Sequence, residues 1–178
     1  MPGAIRVVTG EVTPSGHTPA TFAANSLSAP SAENFGLHAY NYGSKTPRAA
    51  GDSFVSYNEG IYVGYRYYET RYEDTILGQG NADSAVGTKA STDGWNYAEE
   101  VCFPFGYGLS YTNYEYSLDK LDYNSDTDTF TATVTVNNTG DRDGKATVAL
   151  YGQSPYTDYD KQHNVAKSSL HLQGYAKI

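Results

Sequence analysis

Cysteine is almost absent from this sequence of 178 residues. The single one, Cys102, cannot form a disulfide within the chain. Its neighbours Val101 and Phe103 are apolar, and an apolar setting is typical of cysteines that pack as small hydrophobic side chains. We therefore expect Cys102 to be buried rather than to act as a reactive thiol.

Clustered metal ligands are also lacking. Without several cysteines, a metal site would need closely spaced histidines or carboxylates. The histidines are scattered along the chain: they are His17, His38, His163 and His171. Gly78 and Gly80 lack the flanking strand and helix that a dinucleotide-binding loop requires. We expect no metal site and no cofactor.

Positive charge is sparse, because 12 Lys and Arg face 20 Asp and Glu and leave a net charge of −8. Binding of nucleic acid requires clustered basic residues, so we expect no nucleic-acid partner.

No stretch approaches the ~18 apolar residues of a membrane-spanning helix, and we expect no membrane span. The first residues do not show the pattern of a signal peptide. The location, cytoplasmic or secreted, stays open.

Tyrosine and glycine are abundant, at 18 residues each. Many tyrosines occur in residues 54–68, and because aromatic residues favour strands, we predict extended structure there. The stretch FPFGYGLSYT at residues 103–112 contains Pro104, which excludes a helix. In extended geometry its alternate aromatic and apolar side chains share one face, which should be buried. We predict that residues 103–111, here called the clamp, pack against residues 57–68.

From residue 114 onward, apolar and polar residues alternate as in an antiparallel sheet. The alternation slips by one residue between Leu118 and Leu121 and then continues. The side chains predicted to face inward are Phe130, Val134, Val136, Val148 and Leu150. These strands are fewer than the roughly seven of a complete sandwich. Missing strands leave open sheet edges and apolar faces, which favours self-association through the incomplete sheet.

Four blocks of the sequence resemble glycoside hydrolase family 3, the β-glucosidase family, in the expected order. They are GEVTPSGHTPATF at 10–22, EGIYVGYRYY at 59–68, FPFGYGLSYT at 103–112 and NTGDRDG at 138–144. In that family the first two lie near the end of an α/β domain. The third leads into a fibronectin type III-like domain, and the fourth resembles a turn of that domain.

The resemblance implies a mainly β fold. We expect an incomplete fibronectin type III-like antiparallel sandwich, preceded by a loop-rich remnant of an α/β sandwich domain. Residues 1–70 would be the C-terminal remnant of the α/β domain with a connector. Residues 71–102 would be an insertion loop, and residues 103–178 a truncated fibronectin type III-like domain.

The resemblance also implies where the chemistry lies. A retaining glycosidase uses two carboxyl groups about 5 Å apart, and in the family both belong to segments upstream of the parts matched here. The glutamates that do not match the catalytic positions are Glu59, Glu69, Glu73, Glu99 and Glu100. We therefore assign no catalytic residue. The parent enzyme would hydrolyse terminal β-linked glucosyl or xylosyl residues with retention, binding a β-glucoside or oligosaccharide through missing N-terminal domains. This chain would be a scaffold.

Trp95 and Tyr97 are the candidates for substrate binding. An aromatic ring in a polar loop can stack on the apolar face of a pyranose. For Trp95 we favour packing of the loop onto its own domain, at a peripheral place, so that Phe105 should matter more for stability. If these rings bind sugar, the chain is a non-catalytic carbohydrate-binding or cell-surface β-sandwich module. A purely structural β-sandwich is a third interpretation.

Overall fold

The computed structural model describes residues 2–32, 38–39, 53–54, 57, 59–78 and 95–178. Within these ranges the helices are α1 (Pro2–Val8), α2 (Tyr65–Leu77), α3 (Tyr97–Glu100) and α4 (Asp158–Gln162), with a 3₁₀ turn at Pro30–Ala32. The strands are β1 (Phe22–Ala23), β2 (His38–Ala39), β3 (Ser53–Phe54), β4 (Val101–Phe103), β5 (Tyr114–Asn124), β6 (Thr129–Asn138), β7 (Thr147–Gly152) and β8 (His171–Lys177).

The strands of the described residues pair two by two, as β1–β4, β2–β3, β5–β6 and β7–β8. The first three pairs are antiparallel. Beside the fourth pair, Ala146 and Ile178 exchange both backbone hydrogen bonds, which is the antiparallel pattern. The fold is thus mainly β and antiparallel, as predicted.

The β5–β6 hairpin is the longest paired element in the described part of the chain. Its register shifts between Leu118 and Lys120, where a β-bulge accounts for the slip predicted from the sequence. The threonines of β6 are exposed, and Val134 and Val136 are half-buried. The prediction that Phe130 faces inward is wrong, because 65% of it is exposed.

Strand β7 shows the same mixture of right and wrong predictions. Val148 is half-buried, as expected for an inward side chain. Leu150 is 39% exposed, so its predicted inward placement is wrong. Alternation identifies which side chains share a face of a sheet, but burial requires a second layer over that face.

Two compact units can be described separately. Unit 1 comprises Met1–His17, Gly108–Leu150 and Gly174–Ile178, and unit 2 comprises Thr18–Tyr107 and Tyr151–Gln173. Unit 1 therefore contains the β5–β6 hairpin. Unit 2 contains the helices α2, α3 and α4.

The hydrophobic core of unit 2 consists of Tyr67, Tyr68, Trp95 and Val101. The first two belong to α2, which corrects the extended structure predicted for the end of residues 54–68. Gly64 adopts φ +58° at the start of α2, and Gly78 ends the helix in the left-handed conformation. Tyrosine is frequent in strands because it packs well on a half-buried surface, and here a helix buries it equally well.

The clamp is mostly exposed, contrary to the prediction of a buried apolar row. The exposed fractions are 45% for Phe103, 37% for Tyr107, 68% for Leu109 and 45% for Tyr111. Gly106 adopts φ +78°, so the extended run turns in its middle and its side chains do not form one continuous face. Cys102, just before the clamp, is also exposed, so the expectation that it is buried is wrong.

One contact predicted for the clamp is present. The ring of Phe105 stacks on that of Tyr65, with centroids 4.6 Å apart and an interplanar angle of 29°. Phe105 is half-buried. The predicted packing against residues 57–68 is therefore confirmed at this pair.

Candidate functional site

Unit 2 contains a cavity of about 270 Å³ with largely aromatic walls. Its lining residues, here called the Glu69 pocket, are Tyr65, Glu69, Tyr97, Pro104, Phe105, Tyr151 and Leu170. Helix α2 contributes Tyr65 and Glu69, which lie four residues apart and so share one helix face. Helix α3 contributes Tyr97. The remaining residues follow β4, belong to β7 or precede β8.

The aromatic wall is held in place by ring packing and a hydrogen bond. Besides its stacking on Phe105, Tyr65 meets Tyr151 edge-on with centroids 6.2 Å apart. The hydroxyl of Tyr65 accepts a hydrogen bond of 3.0 Å from the backbone N–H of Leu172. The wall is therefore a fixed surface rather than a set of free side chains.

The polar group of the pocket is the carboxylate of Glu69. The hydroxyl of Tyr97 donates a hydrogen bond of 2.7 Å to its Oε1. Burial raises the pKa of Glu69, and this hydrogen bond lowers it in part. Burial, followed by the hydrogen bond to Glu69, also raises the pKa of Tyr97. In the described part of the chain, Tyr97 is the hydrogen-bond partner found for Glu69, which leaves its other oxygen for a donor from a ligand.

A second carboxylate lies one helical turn further along α2. Both oxygens of Glu73 accept from Nε2 of Gln153, at 3.1 and 2.9 Å. Burial raises the pKa of Glu73 as well. Because Glu69 and Glu73 are four residues apart, they project from one helix face.

The two aromatic candidates from the sequence occupy different environments. Trp95 is 8% exposed and belongs to the core of unit 2, which confirms its packing onto its own unit and corrects the expected peripheral place. Tyr97 lines the Glu69 pocket. Their rings meet edge-to-face with centroids 5.9 Å apart. Sequence reasoning missed Glu69, Tyr65 and Tyr151, because only the folded chain brings them together.

Unit 1 carries a larger and more open cleft of about 700 Å³. Several of its charged groups already have partners within the unit. Arg142 donates to the backbone oxygen of Gly10 at 2.6 Å, and Lys177 donates to that of Ser15 at 2.7 Å. Glu11 pairs with Arg6 at 2.8 Å. These groups hold the loop of residues 10–15 in place, so the cleft offers fewer unpaired polar groups than its size suggests.

No group of three or more His, Cys, Asp or Glu side chains among the described residues is arranged to hold a metal ion. None of the helices found there combines the length and the apolar character needed to cross a membrane.

The sequence of the chain is similar to the sequences of known β-glucosidases. The chain is 34% identical over 187 residues to β-glucosidase A of Butyrivibrio fibrisolvens, covering 98% of this chain and 18% of that protein. It is 33% identical over 175 residues to thermostable β-glucosidase B of Acetivibrio thermocellus, covering 97% and 17%. No family model matches the chain.

Solved structures point to the same class. A β-glucosidase from Paenibacillus barengoltzii superimposes with a TM-score of 0.66 at 28% identity, over 98% of this chain and 14% of that one. β-Glucosidase 3B from Thermotoga neapolitana, solved with α-D-glucose, gives a TM-score of 0.63 at 29% identity, over 98% and 18%.

The mainly β fold and these similarities define a β-glucosidase-like chain of the glycosidase class. More particularly, the chain belongs to glycoside hydrolase family 3 and corresponds to the C-terminal part of its β-glucosidases, which confirms the resemblance seen in the sequence. It spans 18%, 17% and 14% of the length of three of the relatives above.

Proposed function

We propose that this chain is the C-terminal scaffold of a retaining glycoside hydrolase that acts on terminal β-linked glucosyl or xylosyl residues. The observation that carries the proposal is the similarity to β-glucosidases over 98% and 97% of the chain. The β-glucoside or oligosaccharide would be bound mainly by N-terminal domains of the whole protein. Within that protein, residues 1–70, 71–102 and 103–178 would be the end of the α/β domain, an insertion and the fibronectin type III-like domain.

The scaffold role is supported by the surroundings of the acidic residues. Glu69 and Glu73 lie on one face of α2, and each already accepts hydrogen bonds from this chain. The family resemblance implies that the nucleophile and the acid/base would lie upstream of the blocks matched here. The chain would thus stabilise and shape the edge of a site whose catalytic carboxylates lie elsewhere.

A chimera tests this proposal. The matching segment of the Acetivibrio thermocellus β-glucosidase B is either deleted or replaced by this chain, and hydrolysis of an aryl β-glucoside is measured. We expect the deletion to abolish activity and the chimera to restore it, with or without Glu69→Gln. An active deletion variant, or a folded but inactive chimera, would contradict the scaffold role.

A second candidate function is carbohydrate binding by the chain itself, which the Glu69 pocket favours. The carboxylate of Glu69 and the hydroxyl of Tyr97 can hydrogen-bond sugar hydroxyls beside the aromatic wall. Trp95 is buried, so this proposal depends on Tyr97 and its neighbours rather than on stacking by the indole.

The only tryptophan of the chain provides the measurement, because its ring lies 5.9 Å from that of Tyr97. Titration with methyl β-glucopyranoside should change the emission of Trp95 in a saturable way. The change should be lost in Glu69→Ala and kept in Tyr159→Phe, which alters an exposed tyrosine outside the pocket. No saturable change in the parent chain, or the same change in Glu69→Ala, would rule out this function.

We also propose that the isolated chain self-associates through its incomplete sheet. Large hydrophobic side chains remain exposed on the strands that are described, and such surface promotes association.

A further inference from the structure

The Glu69 pocket combines a half-buried carboxylate with aromatic walls. Besides Glu69, its lining consists of four aromatic residues, one proline and one leucine. All of these walls belong to this chain, and helices α2 and α3, the clamp, strand β7 and the residue before β8 contribute to them. Among the described residues, no lysine or arginine lines the pocket. Its character is therefore acidic and aromatic.

The hydrogen-bond partners of the two carboxylates on this face of α2 are neutral in the described part of the chain. Glu69 accepts from the hydroxyl of Tyr97 at 2.7 Å. Glu73, one helical turn further along, accepts from the side-chain amide of Gln153. A carboxylate that is partly removed from water is stabilised more strongly by a cation than by a neutral donor. The two carboxylates together thus favour a cationic ligand over a neutral one.

The aromatic walls favour a ligand of the same charge. The ring of Tyr65 stands at 76° to that of Tyr151, with centroids 6.2 Å apart, and it stacks on Phe105. Two of the walls therefore meet nearly at right angles and form a corner. The face of an aromatic ring carries partial negative charge and attracts a cation that lies within ~6 Å of the ring centroid.

The size of the pocket limits the ligand to a small one. Its volume of about 270 Å³ lies just below the ~300–1,000 Å³ of sites for drug-sized molecules, so a single pyranose ring fits it better than an oligosaccharide does. The apolar face of a pyranose can pack on the aromatic walls. An amino group on the same ring supplies the cation that the carboxylates favour.

We propose that the Glu69 pocket binds an amino sugar, with its protonated amine paired to the carboxylate of Glu69. The inference rests on the carbohydrate binding proposed above and specifies the class of sugar. Oε2 of Glu69 accepts from the ammonium group, while Oε1 keeps its hydrogen bond from Tyr97. The pyranose ring lies against the aromatic corner. The net charge of −8 attracts the same cation from a distance.

Three methyl β-glycosides test this proposal on the purified full chain by isothermal titration calorimetry. They are methyl β-glucopyranoside and its analogues with an amine or an acetamido group in place of the hydroxyl at the second ring carbon. At pH ~6.5 the amine is protonated, and the other two compounds are neutral. We expect the amine to bind at least about tenfold more tightly than either neutral glycoside.

Two variants assign the preference to the pocket. Glu69→Gln removes the charge but retains an acceptor for Tyr97, so it should bind the three glycosides with similar dissociation constants. Glu115→Gln is the matched control, because it removes the same charge at an exposed position of β5. It should keep the preference for the amine. Circular dichroism verifies the fold of each variant.

The outcomes separate this inference from the proposals that precede it. Equal dissociation constants for the three glycosides in the parent chain would overturn the amino-sugar inference and leave carbohydrate binding in place, and this comparison needs no variant. A preference for the amine that survives in Glu69→Gln, or is lost in Glu115→Gln, would overturn the role of the Glu69 pocket. If none of the three binds, both this inference and carbohydrate binding by the chain itself are wrong. The scaffold role is unaffected by any of these results.

Discussion

At the scale of single residues, the carboxylate of Glu69 in the pocket has an environment unlike that of a carboxylate on the protein surface. It is half-buried, and its hydrogen-bond partner is the neutral hydroxyl of Tyr97. Burial disfavours the charged form of a carboxyl group, so its pKa is raised. The folded chain therefore holds the proton of Glu69 more tightly than the unfolded chain does.

This difference predicts a pH-dependent effect of Glu69→Gln on stability. A raised pKa contributes stability below the unfolded-state value, and that contribution is lost as pH rises through the folded-state value. At pH 7 the charged group therefore costs stability, and Glu69→Gln should raise the thermal midpoint while retaining an acceptor for Tyr97. The difference should shrink toward pH ~4.

The control for this experiment is Glu115→Gln, which removes the same charge at an exposed position of β5. It corrects for the general benefit of reducing the net charge of −8. Equal increases in thermal midpoint for both variants, or an increase for Glu69→Gln that persists at acidic pH, would contradict the assigned environment.

The same scale gives a prediction for two aromatic residues. Trp95 is 8% exposed in the core of unit 2, whereas Phe105 is half-buried at the pocket wall. Truncating a buried tryptophan costs about 3–5 kcal/mol, because the removed ring leaves a cavity. Trp95→Ala should therefore lower the free energy of unfolding more than Phe105→Ala, as measured by urea denaturation. A larger loss for Phe105→Ala would restore the order expected from the sequence.

At the scale of elements, helix α4 shows how a short helix is held by its first turn. The hydroxyl of Thr157 accepts from the backbone N–H of Asp160, whose carboxylate accepts from the backbone N–H of Thr157, forming a capping box. Lys167 Nζ donates to the same carboxylate at 2.6 Å. The hydrogen bond from Lys167, followed by that from the backbone of Thr157, lowers the pKa of Asp160 to about 2.

For Asp160 the expected pH trend is opposite to that of Glu69. A lowered pKa contributes stability above the unfolded-state value of about 4, and the contribution is lost as pH falls through the folded-state value. Asp160→Asn should therefore lower the denaturation midpoint at pH 7, and by less near pH ~3. Asp158→Asn, in the same turn of α4, is the control and should change little at either pH. A loss for Asp160→Asn that does not depend on pH would contradict the role of its charge.

The sequence predicts the register of some elements, but not the burial or the type of others. The β5–β6 hairpin and its bulge follow from local alternation, which specifies register directly. The burial of Phe130 does not, because it depends on a layer that local pattern cannot reveal. For the first turn of helix α2, residues 65–68, the sequence predicts extended structure because tyrosine favours strands, and the tertiary packing of Tyr67 and Tyr68 overrides that preference.

The candidate site was still less accessible from the sequence. The sequence indicates Tyr97, beside Trp95 in a polar loop, but Glu69 is one of many acids and carries no local signal. The alternation in the clamp predicts that Phe105 packs against residues 57–68, and its stacking on Tyr65 forms one wall of the pocket. Tyr151 and Leu170 lie more than 40 residues beyond Phe105 along the chain, so only the fold brings them to the pocket.

At the scale of the whole molecule, the central proposal is that this chain is the C-terminal scaffold of a family 3 β-glucosidase whose catalytic carboxylates lie elsewhere in the whole protein. The most direct measurement is the initial rate of aryl β-glucoside hydrolysis by the purified chain, with its fold verified by circular dichroism. We predict no turnover above the rate in buffer alone. Turnover that is abolished when one acid of the chain, such as Glu69 or Glu73, is replaced by its amide would contradict the account.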